Sequence, residues 1–284
     1  MPSADRSPRG AAPIEVQRHP YVAHERPLFF AHRGGSALAP ENTLPAYENG
    51  MRYQADALEL DVHYSRDGEI VVFHDETLDR TTSGSGPLAA LTLDELRRLD
   101  AGYHFTPDGG ASYPWRGKGV TIPTLREVFE RFPQTRINIE MKVNDAEGER
   151  RLARLLLDNG WDEWAMVGSF HTDALARFRA LGEGRIATSA SAGETRAFLL
   201  HVLLRQTRRL RPLYDALQVP EVYRGIRVVS PTSIRLAHDL DLDMHVWTVD
   251  DRPTMERLLD WGVDGLMSDR PDTLAEVYQA RGWR

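Results

Sequence analysis

Short apolar runs recur along the chain, spaced so that one amphipathic helix fits between most neighbours. "PLFFAH", "ALELDVHYS", "TRINIEMK", "WAMVGSF", "RIATSA", "ALQVP", "DMHVWTVD" and "GLMSD" have strand composition. "TLPAYENGMRYQ", "EGERRLARLLLDNG", "TDALARFRALG", "PTMERLLDWG" and "PDTLAEVYQARG" repeat their apolar positions at helical spacing. Strands alternating with helices predict parallel βαβ units, and eight such units close into a (β/α)8 TIM barrel of the α/β class. A doubly wound open sheet is the competing arrangement.

The rhythm breaks once. After "ELDVHYS", the turn "RDG" leads into a second apolar run, "EIVVFHD", which predicts a strand-turn-strand hairpin. From about residue 76 to 122 follow Ser-Gly-Pro turns, one short helix ("TLDELRRLD") and several aromatics. That is too long for a βα loop and predicts a small insertion after the second strand, capping one barrel mouth. The Pro-, Arg- and Ser-rich start predicts a mobile tail over residues 1–26, with the barrel domain over 27–284.

Strand parity brings chemistry into the picture. Side chains two apart share a face. In "ELDVHY", Glu59, Asp61 and His63 therefore oppose Leu60 and Val62; in "INIEMK", Asn138, Glu140 and Lys142 oppose Ile137, Ile139 and Met141. The apolar rows belong under the helices and the polar rows on the barrel axis. Carboxylates meeting there repel unless neutralised. A hard divalent cation, Ca²⁺ or Mg²⁺, would do this with oxygen ligands; an ion-pair network with Lys142 and Arg33 would do it as well.

His32 ends the first strand and His74 ends the hairpin strand. Two imidazoles titrating near neutrality suit the base and acid that phosphodiester hydrolysis needs. Arg33 offers a planar fork for phosphate oxygens, and Gly34 and Gly35 permit close backbone approach.

Composition narrows the classes. The chain has 284 residues, 41% hydrophobic and 27% charged, with a net charge of −7 and no cysteine. The charge argues against general nucleic-acid binding, and the missing cysteines exclude disulfides, thiolate nucleophiles and Cys-ligated zinc. No signal-peptide pattern and no apolar run of ~18 residues is present, so a cytoplasmic location is expected.

From about Leu28 to Asp272 the sequence resembles the glycerophosphodiester phosphodiesterase family. The matching pieces are "AHRGGSALAPENTLPAY", "ELDVHYSRDGEIVVFHDETLDRTTSG", "IPTLREVF", "INIEMK", "VWTVDD" and "GVDGLMSDRP". The resemblance implies a barrel with a small inserted domain and a divalent metal. It also implies hydrolysis of glycerophosphodiesters to glycerol 3-phosphate and an alcohol. By motif, His32 and His74 match the catalytic acid/base pair, Glu59, Asp61 and Glu140 the metal ligands, and Arg33 and Lys142 the phosphate-contacting cations. Trp247 matches an aromatic near the glycerol pocket; packing at the barrel mouth is its other reading. The resemblance further suggests the glycerol 2-hydroxyl as first nucleophile, giving a cyclic phosphate that water opens.

Ser169, His171 and Gln218 fall at predicted strand ends, with a structural role the first expectation for His171. Asn42 is expected to cap the first helix. In "TRAFLLHVLLRQTRRLRPLYDALQ", Phe198, Leu199, Val202 and Leu203 precede Arg205, Arg208, Arg209 and Arg211. This reads as a barrel helix with a solvated basic end, or as a patch for peripheral contact with an anionic membrane. The second reading would suit a lysophospholipase D. A phosphate-binding scaffold without activity is disfavoured by the complete set of histidines and carboxylates.

Overall fold

The computed structural model describes residues 18–204, 206 and 209–284. In chain order it contains β1 (Leu28–Ala31), α1 (Leu44–Arg52), β2 (Ala57–Tyr64), β3 (Ile70–Val72), α2 (Leu93–Leu96), α3 (Leu125–Arg131) and β4 (Arg136–Met141). Next come α4 (Ala146–Asp158), β5 (Ala165–Gly168), α5 (Thr172–Gly182), β6 (Ala187–Thr188), α6 (Ala192–Leu203) and β7 (Ala216–Val219). The chain ends with β8 (Val222–Tyr223), β9 (Ile226–Arg227), α7 (Pro231–His238), β10 (Asp243–Val246), α8 (Arg252–Trp261), β11 (Gly265–Ser268) and α9 (Pro271–Ala280). The parallel strands run β6-β5-β4-β2-β1-β11-β10-β7. A parallel bridge between Ser189 and Ala216 joins the two ends. The fold is thus the predicted TIM barrel, and this closure rules out the open sheet.

Period-two alternation builds both layers. Leu58, Leu60 and Val62, with Ile137, Ile139 and Met141, point outward into one core with Leu152, Leu156, Phe178, Leu258 and Val277 of the helices. Leu28, Phe30, Ala57, Met166, Ala187, Ala216 and Met267 point inward and fill the lower barrel. Helix starts follow local chemistry: Thr43, Thr124, Ser191 and Ser230 each accept a backbone N–H of the first turn, a contact worth about 1 kcal/mol.

β3 pairs antiparallel with β2, as the hairpin reading expects. Beyond it, Val71, Phe73, Leu78, Leu88, Leu96, Ala101, Val120 and Ile122 form a small separate core, which is why the inserted segment holds its own shape. The mobile-tail expectation needs correction from residue 18 onward. Residues 18–26 form a strap across the closed end of the barrel, with Tyr21 fully buried. Arg136 donates to the backbone oxygens of Tyr21 and Ala23, and Arg18 and His24 both pair with Asp243. Burial alone would raise the Asp243 carboxyl; the hydrogen bond from His24 and the adjacent imidazoles hold it below the usual range. Composition could not reveal this docking, because it rests on one tyrosine side chain and partners far along the chain.

The turn after β1 sets the position of the first site residues. Arg33 and Asn42 adopt left-handed backbone, as do Gly34 and Gly35. A Cβ on Gly34 would lie 2.6 Å from the Ala46 carbonyl carbon, so α1 packs directly on the glycine. Gly34→Ala should therefore cost about 3 kcal/mol of stability, from the left-handed conformation and the clash together. Urea denaturation measures this; an unchanged midpoint would show that the turn relaxes freely.

Candidate active site

β2 and β4 lie side by side, with Asp61 opposite Glu140 and Glu59 opposite Asn138. The inward parity of both strands then brings carboxylate oxygens of Glu59, Asp61 and Glu140 within 4.8 Å of one another. The sequence left two ways to neutralise this cluster, and the ion pairs are present. Lys142 Nζ lies 2.9 Å from Asp61 Oδ1 and 3.1 Å from Glu140 Oε1, and Arg33 Nε lies 3.3 Å from Asp61 Oδ2.

Those cations do not balance the cluster. Burial, and then the Asp61 charge, push the Glu59 carboxyl up to about 7. Burial also raises Glu140 against the pull of Lys142. Asp61 moves the other way: burial would raise it, but Lys142 and Arg33 hold it below the usual carboxylate range. Asp61 Oδ1 and Glu140 Oε1 are buried without a hydrogen bond, since the Lys142 ammonium reaches them by distance but not by hydrogen-bond geometry. An all-oxygen set with unspent lone pairs and excess negative charge fits a hard divalent cation.

The histidines stand on either side. His32 Nδ1 is 2.6 Å from Asp269 Oδ1, and its Nε2 is 3.7 Å from Glu59 Oε2. Burial works against charging this ring, but Glu59 and Asp269 outweigh it and push the imidazole up to about 9. His74 Nδ1 is 2.6 Å from Asp75 Oδ1. In both rings a carboxylate at Nδ1 fixes the tautomer and leaves Nε2 as the working nitrogen.

Both histidines, with Arg33, Glu59, Glu140, Lys142 and Trp247, line one cleft of about 410 Å³ at the strand C-termini, the face that carries chemistry in this fold. Its further wall comes from the opposite arc: Gly168, Ser169, Ser189, Ala190 and Val219, with Phe170, Leu199 and Tyr223 outside them. Trp247 meets Phe170 edge to face at 6.1 Å.

Other sequence expectations fare differently. Ser169 lines the cleft and donates to the Met141 carbonyl. Gln218 also lines it and donates to Asn138 Oδ1 at 2.7 Å. His171 stands just before α5, outside the cleft lining, with an exposed ring that caps no backbone N–H of the helix. Asn42 is not the helix cap; Thr43 is. Asn42 instead donates to Asp61 Oδ2 at 2.8 Å and accepts from Tyr47 Oη, so it orients a carboxylate of the cluster. Arg209 and Arg211 follow α6, whereas Arg205 and Arg208 lie outside the described residues.

Four residues of the surrounding network had no role from sequence. Asp269 and Asp75 hold the two imidazoles, and Arg80 joins Asp75 to Glu41, which in turn holds Arg33 Nη1 at 3.0 Å. Asp75 is the easiest to have found, since it adjoins His74; Asp269 stands in the quoted "GLMSDRP" but 237 positions from His32.

Imidazoles, carboxylates and cations converging on the C-terminal mouth of a closed barrel define a hydrolase of phosphoric esters. A sequence profile of the glycerophosphoryl diester phosphodiesterase family matches residues 32–273. A glycerophosphodiester phosphodiesterase of Caldanaerobacter subterraneus subsp. tengcongensis is 34% identical over 262 residues, 90% of this chain and 99% of that protein. The crystal structure of glycerophosphodiester phosphodiesterase from Agrobacterium tumefaciens superposes with a TM-score of 0.70 at 26% identity, covering 88% of this chain and 99% of that one. A human lysophospholipase D is 36% identical over 138 residues, 45% of this chain and 42% of that protein. The chain belongs to the glycerophosphoryl diester phosphodiesterase family and is a phosphoric diester hydrolase. Among the described residues, no helix is long and apolar enough to cross a membrane.

Proposed function

We propose that the chain hydrolyses glycerophosphodiesters to glycerol 3-phosphate and an alcohol, with His32 and His74 as its acid/base pair and a divalent cation held by Glu59, Asp61 and Glu140. The observation that carries this reading is the pair of carboxylate-backed imidazoles flanking an underneutralised carboxylate cluster in one cleft. Ca²⁺ or Mg²⁺ bound there supplies charge stabilisation for the phosphoryl oxygens. Arg33 and Lys142 stand beside the same carboxylates and add fixed positive charge for the phosphate. Asn42 holds Asp61 in place throughout.

One imidazole takes the proton of the attacking hydroxyl at its Nε2. The other releases a proton from Nε2 to the departing alkoxide as the phosphorus–oxygen bond breaks. With the glycerol 2-hydroxyl as nucleophile, the first step gives a cyclic phosphate. Water then opens it with the two proton roles exchanged, restoring both rings.

A second reading keeps the chemistry and changes the substrate to a lysophospholipid, acylated on its glycerol side, at a membrane surface. It is favoured by the apolar outer wall, where Leu199 and Tyr223 border the cleft and Leu200, Leu203, Val222 and Ile226 lie exposed nearby on α6 and the β8–β9 hairpin. The relative named lysophospholipase D supports it further. Glycerol 3-phosphate release from glycerophosphocholine and glycerophosphoethanolamine, set beside choline release from a lysophosphatidylcholine, tests both. The first reading expects higher kcat/KM on the soluble diesters, the second on the lysolipid. Turnover of none of the three would reject both.

A further inference from the structure

A second cluster of metal-type donors lies at the opposite, closed end of the barrel. It joins His24 of the strap to Asp243 and His245 of β10, with ligand atoms within 4.8 Å of one another. His24 Nε2 is 2.8 Å from Asp243 Oδ2 and His245 Nε2 is 3.5 Å from the same oxygen. Asp243 and His245 are essentially fully buried. His245 Nε2 is buried without a hydrogen-bond partner, an expensive state for an imidazole nitrogen unless something else uses it.

We infer that His24, Asp243 and His245 form a second divalent-cation site, of the zinc class, which staples the N-terminal strap to the barrel floor. Two imidazoles and one carboxylate suit a borderline cation such as Zn²⁺, whereas the all-oxygen cluster at the mouth suits a hard one. Zinc bonds of about 2.0–2.2 Å in tetrahedral array set ligand atoms roughly 3.3 Å apart. The observed 2.8 and 3.5 Å separations bracket that spacing, so a small movement of His24 suffices. The rigid half of the site is already fixed. The His245 ring packs on Phe30 at 4.8 Å between centroids, and a Cβ on Gly265 would lie 2.9 Å from its Cδ2. Arg18 engages Asp243 through the other oxygen, Oδ1, leaving Oδ2 to face both imidazoles.

The test uses the full chain, stripped with a chelator, dialysed and then supplied with Zn²⁺ alone. Bound zinc is counted by elemental analysis, and the thermal unfolding midpoint is recorded. To separate this site from the mouth, the same measurements are made on Glu59→Gln/Glu140→Gln. That variant should still retain one equivalent of Zn²⁺ and still unfold at higher temperature with it. His24→Ala should bind one equivalent less than the wild type and lose the thermal shift, while its hydrolysis with Ca²⁺ or Mg²⁺ is unchanged. Cobalt substitution in the mouth variant should give the visible absorption of a tetrahedral site, absent once His24→Ala is added. Should the alanine variant release the strap, His24→Gln keeps a polar partner for Asp243 without the imidazole and should show the same zinc loss. Equal zinc content in wild type and both His24 variants would overturn the inference, as would a mouth variant that binds no zinc.

Discussion

His74→Ala and His32→Ala should each lower kcat by ~10²-fold or more, the usual scale for losing a general acid or base. Neither ring is proposed as a metal ligand, so the metal concentration giving half-maximal rate should stay close to that of the wild type. Steady-state kinetics across a metal titration separates the two quantities. A variant with near-normal kcat removes that histidine from the mechanism. Asp269→Asn is the milder companion. It keeps the shape at His32 but removes a carboxylate that raises the imidazole, so the limb of the pH–rate profile belonging to His32 should move to lower pH. A purely structural role for Asp269 would leave that limb in place.

Removing the metal should abolish turnover altogether, and Ca²⁺ or Mg²⁺ should restore it. The reason is electrostatic: three carboxylates within 4.8 Å, with Glu59 pushed up to about 7, await positive charge that Lys142 and Arg33 only partly supply. Glu59→Gln removes one anionic ligand while keeping the side-chain shape. It should raise the half-saturating metal concentration by at least the ~10–100-fold seen when even an outer-shell partner is lost. Chelated, dialysed enzyme that keeps full activity would show that the cluster works as an ion-pair network with its two cations.

The strands, their inward rows and the converging carboxylates were legible because period-two alternation in two strands fixes direction without tertiary information. Glu59, Asp61 and Glu140 meet because β2 and β4 are neighbours, which the barrel topology implies. Contacts that join distant segments were not legible in this way. Asp269 reaches His32 only because β11 closes against β1, and nothing local marks that carboxylate. Asn42 was misread because "ENT" places two good caps in succession, and Thr43 took the role. The strap was not legible because it follows directly on a Pro-, Arg- and Ser-rich stretch, while its anchoring comes from Tyr21 entering the barrel floor.

The cleft is built from two unlike arcs. The β1, β2 and β4 side carries the imidazole, carboxylates and ammonium, while the β5, β6 and β7 side contributes mostly small or apolar groups. A substitution at Leu199 or Tyr223 should therefore change what the cleft accommodates while leaving the imidazoles, carboxylates and ammonium of the other arc in place. Substrate range should thus be separable from reactivity, with point mutations in the one arc retuning the first and leaving the second intact.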